Sequence, residues 1–273
     1  MSGPSSGVVP LASGRRLSFS VQGAPGSPPI LLNRPIGGSM VLWGQFASRL
    51  ATALRVVAFD PLGVGESSDA PLWYTTRHMA RDAAQVLDHL DIESAHVFGL
   101  SLGGMVASYV ALDFTARVRS LILASTIPEP EALSLRGVAK LLSLSRFLVG
   151  PQANAEVALV HRILSREFRQ AHPERVTQIE RSVRQIPATR ENLAILALAA
   201  ARHSAPLKEL PRSVRTLLLF GELDLLAGAG ARDELRRELP HAESEVVAGA
   251  GHDISLERPE ELADRVLAFA LRS

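Results

Sequence analysis

The chain has 273 residues, 47% of them hydrophobic, which predicts one large folded domain or a core with an elaboration and excludes a disordered protein. Its 29 Lys and Arg residues nearly balance 28 Asp and Glu residues, so nucleic acid and charged membranes are disfavoured as partners. The absence of cysteine excludes disulfides, thiolate catalysis and Cys-ligated metals. We expect a small-molecule partner, and the oligomeric state stays open.

The first seven residues are rich in Ser, Gly and Pro and lack the charged and apolar regions of a signal peptide. We interpret residues 1–7 as a disordered lead-in and expect a cytoplasmic protein. The longest apolar run, Leu193–Ala201, is shorter than the roughly 20 residues that a membrane-spanning helix needs. The sequence therefore predicts no membrane span.

Two alternating runs at the start, Val8–Leu11 and Arg16–Val21, predict a β-hairpin. Six compact apolar runs then predict strands buried on both faces. These runs are Ile30–Leu32, Val56–Phe59, Ala95–Phe98, Leu121–Ala124, Thr216–Phe220 and Glu245–Val247. The predicted helices between them are Met40–Ala53, Thr76–Leu90, Leu102–Phe114, Ala231–Leu239 and Glu260–Leu271. Strands alternating with helices indicate a mostly parallel, doubly wound α/β sheet.

The interval 126–210 interrupts this alternation. It has no β-branched strand-like run, it is rich in Ala, Leu and Arg, and it carries six prolines. We predict an all-helical insertion, which divides the chain into a core of residues 1–125 and 211–273 and an insertion of residues 126–210. Because open α/β sheets bind ligands at the carboxyl ends of their strands, an insertion there is expected to form a lid.

Ser101 lies in the segment Gly99–Gly104, between an apolar run and a predicted helix. This context is typical of a nucleophile elbow, a sharp strand-to-helix turn that exposes a serine. Glycines are needed there because the serine backbone is strained and neighbouring Cβ atoms would collide with the strand and the helix. The alternative, a serine tolerated in a glycine-rich turn, is disfavoured by the partners that follow.

A serine hydroxyl is a poor nucleophile at neutral pH and needs a base that a carboxylate orients. His252 follows the last strand-like run in a glycine-rich loop, so we predict that it is the base. Asp224 follows the run Thr216–Phe220 and is the predicted acid. Both residues would lie at the carboxyl edge of the sheet.

Other titratable residues are weaker candidates. Glu222 and Glu129 also follow predicted strands and remain alternative acids, whereas Asp253, next to the base, is expected at the surface or behind the triad. Six more histidines are interpreted as surface or packing residues: His89, His96, His161, His172, His203 and His241.

The order Ser, Asp, His is that of the α/β-hydrolase triad. The segment Asp60–Ser67 is also similar to the Asp-x-x-Gly-x-Gly-x-Ser turn of that family, and the sequence resembles the α/β-hydrolase superfamily over nearly its whole length. The resemblance implies a structural role for this turn and a serine hydrolase acting on an ester, thioester or lactone. No His-Glu-x-x-His motif or phosphate-binding loop occurs, so neither a metal nor an organic cofactor is expected.

The loop Asn33–Ser39 departs from the family pattern, which usually shows His-Gly after the third strand. Placing Arg34-Pro35 on His-Gly makes the amides of Ile36 and Leu102 the oxyanion-hole donors. A shift by one residue would put Pro35, which has no N–H group, at the donor position. The loop is similar to that of the enol-lactonases, which also replace His-Gly.

Five side chains are candidate substrate contacts. Arg34 could bind a substrate carboxylate through two N–H groups, or it could pack into the loop in place of the family's histidine. Trp43, Met105, Phe147 and Phe168 could line an apolar acyl pocket, or they could belong to the core and the lid.

Two other functions stay open on the same scaffold. One is a cyclase, acyltransferase or carbon–carbon bond hydrolase, and the other is a ligand-binding protein without turnover. The serine at position 101 disfavours the epoxide hydrolase and haloalkane dehalogenase branches, which use an aspartate there.

Overall fold

An eight-stranded sheet forms the centre of the protein in a computed structural model, which describes residues 4–129 and 152–272. The strands are β1 (Ser5–Pro10), β2 (Arg16–Gln22), β3 (Pro29–Asn33), β4 (Arg55–Phe59), β5 (Ala95–Leu100), β6 (Val118–Ala124), β7 (Thr216–Gly221) and β8 (Glu243–Val247). Their spatial order is β1-β2-β4-β3-β5-β6-β7-β8. Only the pairs β1–β2 and β2–β4 are antiparallel among the described strands. The predicted mostly parallel α/β sheet is confirmed.

Helices cover both faces of this sheet. In the described part of the chain they are α1 (Gly44–Leu50), α2 (Thr76–His89), α3 (Leu102–Asp113), α4 (Gln152–Ile163), α5 (Arg166–Ala171), α6 (Pro173–Arg184), α7 (Arg190–Ala201), α8 (Ala229–Glu238), α9 (Ile254–Glu257) and α10 (Pro259–Ala270). Along β3, Leu31 packs into the apolar core shared with α2 and α3, whereas Ile30 and Leu32 pack into the core shared with α1 and α10. Alternating side chains thus supply both cores, which explains the continuous apolar runs.

Two predicted boundaries are wrong. The interval 1–7 is not wholly a disordered lead-in, because β1 begins at Ser5, which pairs with Val21 of β2. Strand pairing uses backbone groups, so this largely exposed edge strand needs no apolar run. The predicted helix Met40–Ala53 is a 3₁₀ turn, Met40–Trp43, followed by α1, and the two meet at Gly44 with φ of 37°.

Helices α4 to α7 lie in the chain between β6 and β7, and ordinary capping chemistry explains where α5, α6 and α7 begin. The hydroxyls of Ser165 and Thr189 cap α5 and α7, and Pro173 occupies the first position of α6. The helices contact the core through Asn192, whose side chain accepts a hydrogen bond from the Ala70 amide at 3.0 Å. Among the described residues, no helix is long and apolar enough to cross a bilayer.

Candidate active site

Ser101 occupies a strained turn between β5 and α3, with φ of 57° and ψ of −120°. The surrounding glycines allow this turn, as the sequence predicts. A Cβ atom on Gly99 would lie 2.1 Å from the carbonyl oxygen of Gly103, and one on Gly103 would lie 1.9 Å from that of Asn33. Since real Cβ atoms do not approach so closely, a side chain at either position would push α3 away from the sheet.

Three side chains from separate strand ends meet at Ser101. His252 Nε2 lies 2.9 Å from Ser101 Oγ, although the two residues are 151 positions apart. On its other side, His252 Nδ1 lies 2.9 and 3.0 Å from the two carboxylate oxygens of Asp224. The structure therefore brings the three predicted triad residues into one hydrogen-bonded chain, and their roles as nucleophile, base and orienting acid stay a prediction.

The environment of Asp224 holds this carboxyl group in its charged form. Burial alone would raise the pKa of Asp224, but attraction to His252, the hydrogen bonds from His252, and those from the Ala227 and Leu226 amides lower it below its usual value. The two amides donate to Asp224 Oδ1 at 2.9 and 2.7 Å. A fixed anion behind His252 selects the tautomer whose Nε2 can accept the serine proton.

The two alternative acids have other partners. Glu222 accepts a hydrogen bond from the Gly249 amide at 2.8 Å, and Glu129 accepts one from the Ser204 hydroxyl at 2.6 Å. Asp253 is fully buried, so a surface position for this residue is wrong. Its carboxylate binds Arg34, and this opposite charge offsets part of the cost of burying it.

The loop after β3 approaches the start of α3. A 3.1 Å hydrogen bond from the Gly38 amide to the Pro35 carbonyl closes a turn in which Gly37 has φ of 70°, and both Ile36 and Gly37 are half-buried. Leu102 is the first residue of α3, where amide groups lack intrahelical acceptors. The assignment of Ile36 and Leu102 as oxyanion donors stays a prediction.

The expected substrate contacts of Arg34 and Trp43 are not supported. The Arg34 side chain is only 1% exposed and binds Asp253, so a clamp on substrate is wrong and the packing alternative holds. Trp43 is also 1% exposed and packs between Phe46 and Phe98, because the 3₁₀ turn directs it into the core.

The positions of the other three candidates do not decide whether they line an acyl pocket. Met105 and Phe168 are nearly buried in the apolar core that includes α3, and a role for either in a pocket stays a prediction. Phe147 lies outside the described residues.

The segment Asp60–Ser67 has the structural role that the resemblance implies. Asp60 accepts hydrogen bonds from the Ser39 hydroxyl at 2.9 Å and the Met40 amide at 2.6 Å. Burial raises its pKa to about 6. A Cβ atom on Gly65 would lie 2.0 Å from the Asp60 carboxylate, so the turn needs glycine there. The turn also anchors the end of the predicted oxyanion loop, a contact that the sequence does not reveal.

Glu257 is a further buried carboxylate, which sequence reasoning did not select. It accepts hydrogen bonds from the Ser165 amide and hydroxyl at 2.6 and 2.8 Å and from the Gly251 amide at 3.1 Å. Burial raises its pKa. Glu257 thereby joins the 126–210 segment to the loop that carries His252.

Comparisons with known proteins agree with this architecture. A protein from Caulobacter vibrioides, provisionally named carbamate hydrolase RutD, is 28% identical over 257 residues, covering 93% of this chain and 94% of its own. The 3-oxoadipate enol-lactonase 1 of Acinetobacter baylyi is 26% identical and covers 90% of each chain. The crystal structure of a hydrolase from Pseudomonas aeruginosa superposes with a TM-score of 0.85 at 24% identity and covers 98% of each chain.

A family profile described as the alpha/beta hydrolase fold matches residues 28–259. The matched region runs from the start of β3 into α10 and includes all three residues that meet at Ser101. Sheet topology, the strained serine turn and this match agree, and the chain belongs to the α/β-hydrolase fold family.

Proposed function

We propose that this protein is a serine hydrolase that cleaves an ester, thioester or lactone of a small organic substrate through an acyl-serine intermediate. The observation that carries the proposal is the hydrogen-bonded chain from Ser101 Oγ through His252 to Asp224, with distances of 2.9 to 3.0 Å. Its groups have the chemical types, the order and the contacts that nucleophilic acyl transfer requires.

In the first half-reaction, Ser101 Oγ attacks the substrate carbonyl carbon while His252 Nε2 takes the hydroxyl proton. The carbonyl oxygen becomes negatively charged, and the amides of Ile36 and Leu102 stabilise it. The Asp224 carboxylate stabilises the imidazolium. The tetrahedral intermediate then collapses, the bond to the leaving alkoxide or thiolate breaks, and His252 gives that group its proton.

In the second half-reaction, His252 removes a proton from a water molecule as the water oxygen attacks the acyl carbon. A second tetrahedral intermediate forms at the same amides, and its collapse breaks the bond to Ser101 Oγ. The proton returns from His252 to the serine oxygen. The products of this half-reaction are a carboxylic acid and the free enzyme. For a lactone, the alcohol freed in the first half-reaction stays attached to the acyl group, so the single product is a hydroxy acid.

Helices α4 to α7, which lie within the predicted insertion of residues 126–210, are proposed to act as a lid that selects the substrate. A Cβ atom on Gly37 would lie 3.2 Å from Leu193 and 3.9 Å from Leu159, so apolar side chains of α7 and α4 lie beside the predicted oxyanion loop. This contact supports a substrate with an apolar group near its reacting carbonyl.

The proposal is tested by incubating the protein with a broad fluorophosphonate and measuring its intact mass. Covalent labelling requires an activated serine and needs no knowledge of the substrate. We expect a single adduct on the wild-type protein and none on Ser101→Ala or His252→Ala. A folded wild-type protein that forms no adduct would contradict the proposal and favour a ligand-binding or non-hydrolytic role.

A further inference from the structure

A buried group of polar side chains lies beneath the predicted oxyanion loop. Arg34 Nη2 binds Asp253 Oδ2 at 2.8 Å, and Arg34 Nη1 donates to Ser255 Oγ at 3.0 Å. The Ser255 hydroxyl in turn donates to Asp253 Oδ1 at 2.5 Å, which closes a ring of three side chains. The guanidinium carbon lies 4.3 Å from the centre of the Trp43 ring, so the aromatic face supports the cation.

This ring joins two loops that carry different parts of the predicted chemistry. Arg34 directly follows β3 and stands two residues before Ile36, whereas Asp253 directly follows His252. The two charged residues are 219 positions apart in sequence. A Cβ atom on Gly38 would lie 3.0 Å from Arg34 Nε, which places the guanidinium directly against the turn of the oxyanion loop.

Packing alone does not explain why charged groups occupy this position. The side chains of Arg34 and Asp253 are 1% and 0% exposed, and Arg34 Nε has no hydrogen-bond partner within residues 4–129 and 152–272. Desolvation of such a pair is often not recovered by its attraction, and apolar residues of similar volume frequently stabilise a protein more. An ion pair fixes both the distance and the orientation of the two loops that carry it, whereas an apolar contact does not.

We propose that Arg34 is a positioning residue whose bond to Asp253 sets the distance between the oxyanion loop and the catalytic histidine. The inference rests on the proposed serine hydrolase function and deepens it. When Ser101 attacks, the oxyanion and the imidazolium develop on opposite sides of the reacting carbon. The amide of Ile36 and the ring of His252 must then be in place together, and the ion pair holds the loop of each.

The test compares steady-state kinetics of Arg34→Met, Asp253→Asn and their double variant, with an ester that the wild type hydrolyses. We expect each single variant to lower kcat about 100-fold, the loss that a misplacement of about 1 Å produces, with KM within about threefold of wild type. The double variant should be no worse than either single variant because the two residues act as one element. Arg34→Lys keeps the charge and should recover part of the lost kcat.

Asp82→Asn is the matched control. Asp82 is also a buried carboxylate, it accepts a 2.6 Å hydrogen bond from the Tyr74 hydroxyl, and it makes none of the contacts described at Ser101. This variant should lose thermal stability and keep its kcat. If Arg34→Met behaves in the same way, the ion pair is merely structural and the proposal is overturned. A raised KM with unchanged kcat would overturn it as well, because Arg34 would then contact substrate.

Replacement variants and an NMR signal test the positioning role when Arg34→Met kinetics cannot. If Arg34→Met fails to fold, Arg34→Lys and Ser255→Ala take its place, and wild-type kcat in both would refute the positioning role. The NMR signal of the proton shared by His252 Nδ1 and Asp224 reports histidine placement without any turnover. We expect this signal to shift or broaden in Arg34→Met, and an unchanged signal would count against the positioning role. Absence of fluorophosphonate labelling in the wild-type protein would instead count against the hydrolase function.

Discussion

Replacing Gly103 with alanine tests whether the close approach of α3 to β3 creates the active site. The added Cβ atom would lie 1.9 Å from the Asn33 carbonyl oxygen and 2.4 Å from its carbon, about 1.5 Å inside ordinary contact. Both obstacles are backbone atoms, so no side chain can rotate away. The start of α3, with the Leu102 amide, must move from the loop after β3 by a distance larger than the roughly 0.5 Å that a catalytic site tolerates.

We expect Gly103→Ala to lower the free energy of unfolding by about 1–3 kcal/mol and to lower kcat at least about 100-fold. Urea unfolding gives the first quantity and ester hydrolysis at 25 °C the second. Gly230→Ala makes the same chemical change in α8, where an added Cβ atom meets nothing within 4 Å, and it should leave kcat unchanged. Wild-type kcat and stability in Gly103→Ala would refute the argument from close approach.

Two further predictions concern the acid of the triad and a buried histidine. Asp224→Ala should lower kcat about 10⁴-fold, whereas Glu222→Ala and Glu129→Ala should change it little. If Glu129→Ala loses as much kcat on the same ester, the acid of the triad is misassigned. Burial lowers the pKa of His203 to about 4, below its ordinary value of about 6.5. As the pH falls between these two values, the unfolded chain binds a proton that the folded protein does not, so the free energy of unfolding decreases by roughly 3 kcal/mol. His203→Gln should remove that loss; urea unfolding curves at pH 7 and pH 4 that shift equally in both proteins would contradict this.

The central sheet could be predicted because its signal is local. Strands buried on both faces need apolar residues at most positions, so β3, β5 and β7 are visible as short apolar runs. The first half of the edge strand β1, Ser5–Gly7, carries no such signal, since its pairing depends on backbone groups, whereas the second half lies in the predicted hairpin. The break at Gly44 was equally hidden, because a helical pattern does not reveal a local change in backbone angle.

The triad was predictable because chemistry constrains its residue types and topology constrains their places. A serine in a glycine-rich turn and an acid and a histidine after later strands must converge at one sheet edge. Arg34 and Glu257 gave no comparable signal. Their partners, Asp253 and Ser165, lie 219 and 92 positions away, and a sequence does not state which distant polar groups will share a buried space.

The wide separation of the active-site residues also bears on when the protein acquires activity. Contacts between residues that are distant in sequence form late in folding because long loops must close first. His252 follows β8, the last strand, and it reaches Ser101 across 151 positions. Until β8 and the loop after it are in place, the serine turn therefore lacks its proposed base. In the proposed mechanism, the Ser101 hydroxyl is therefore activated only after the final strand has joined the sheet.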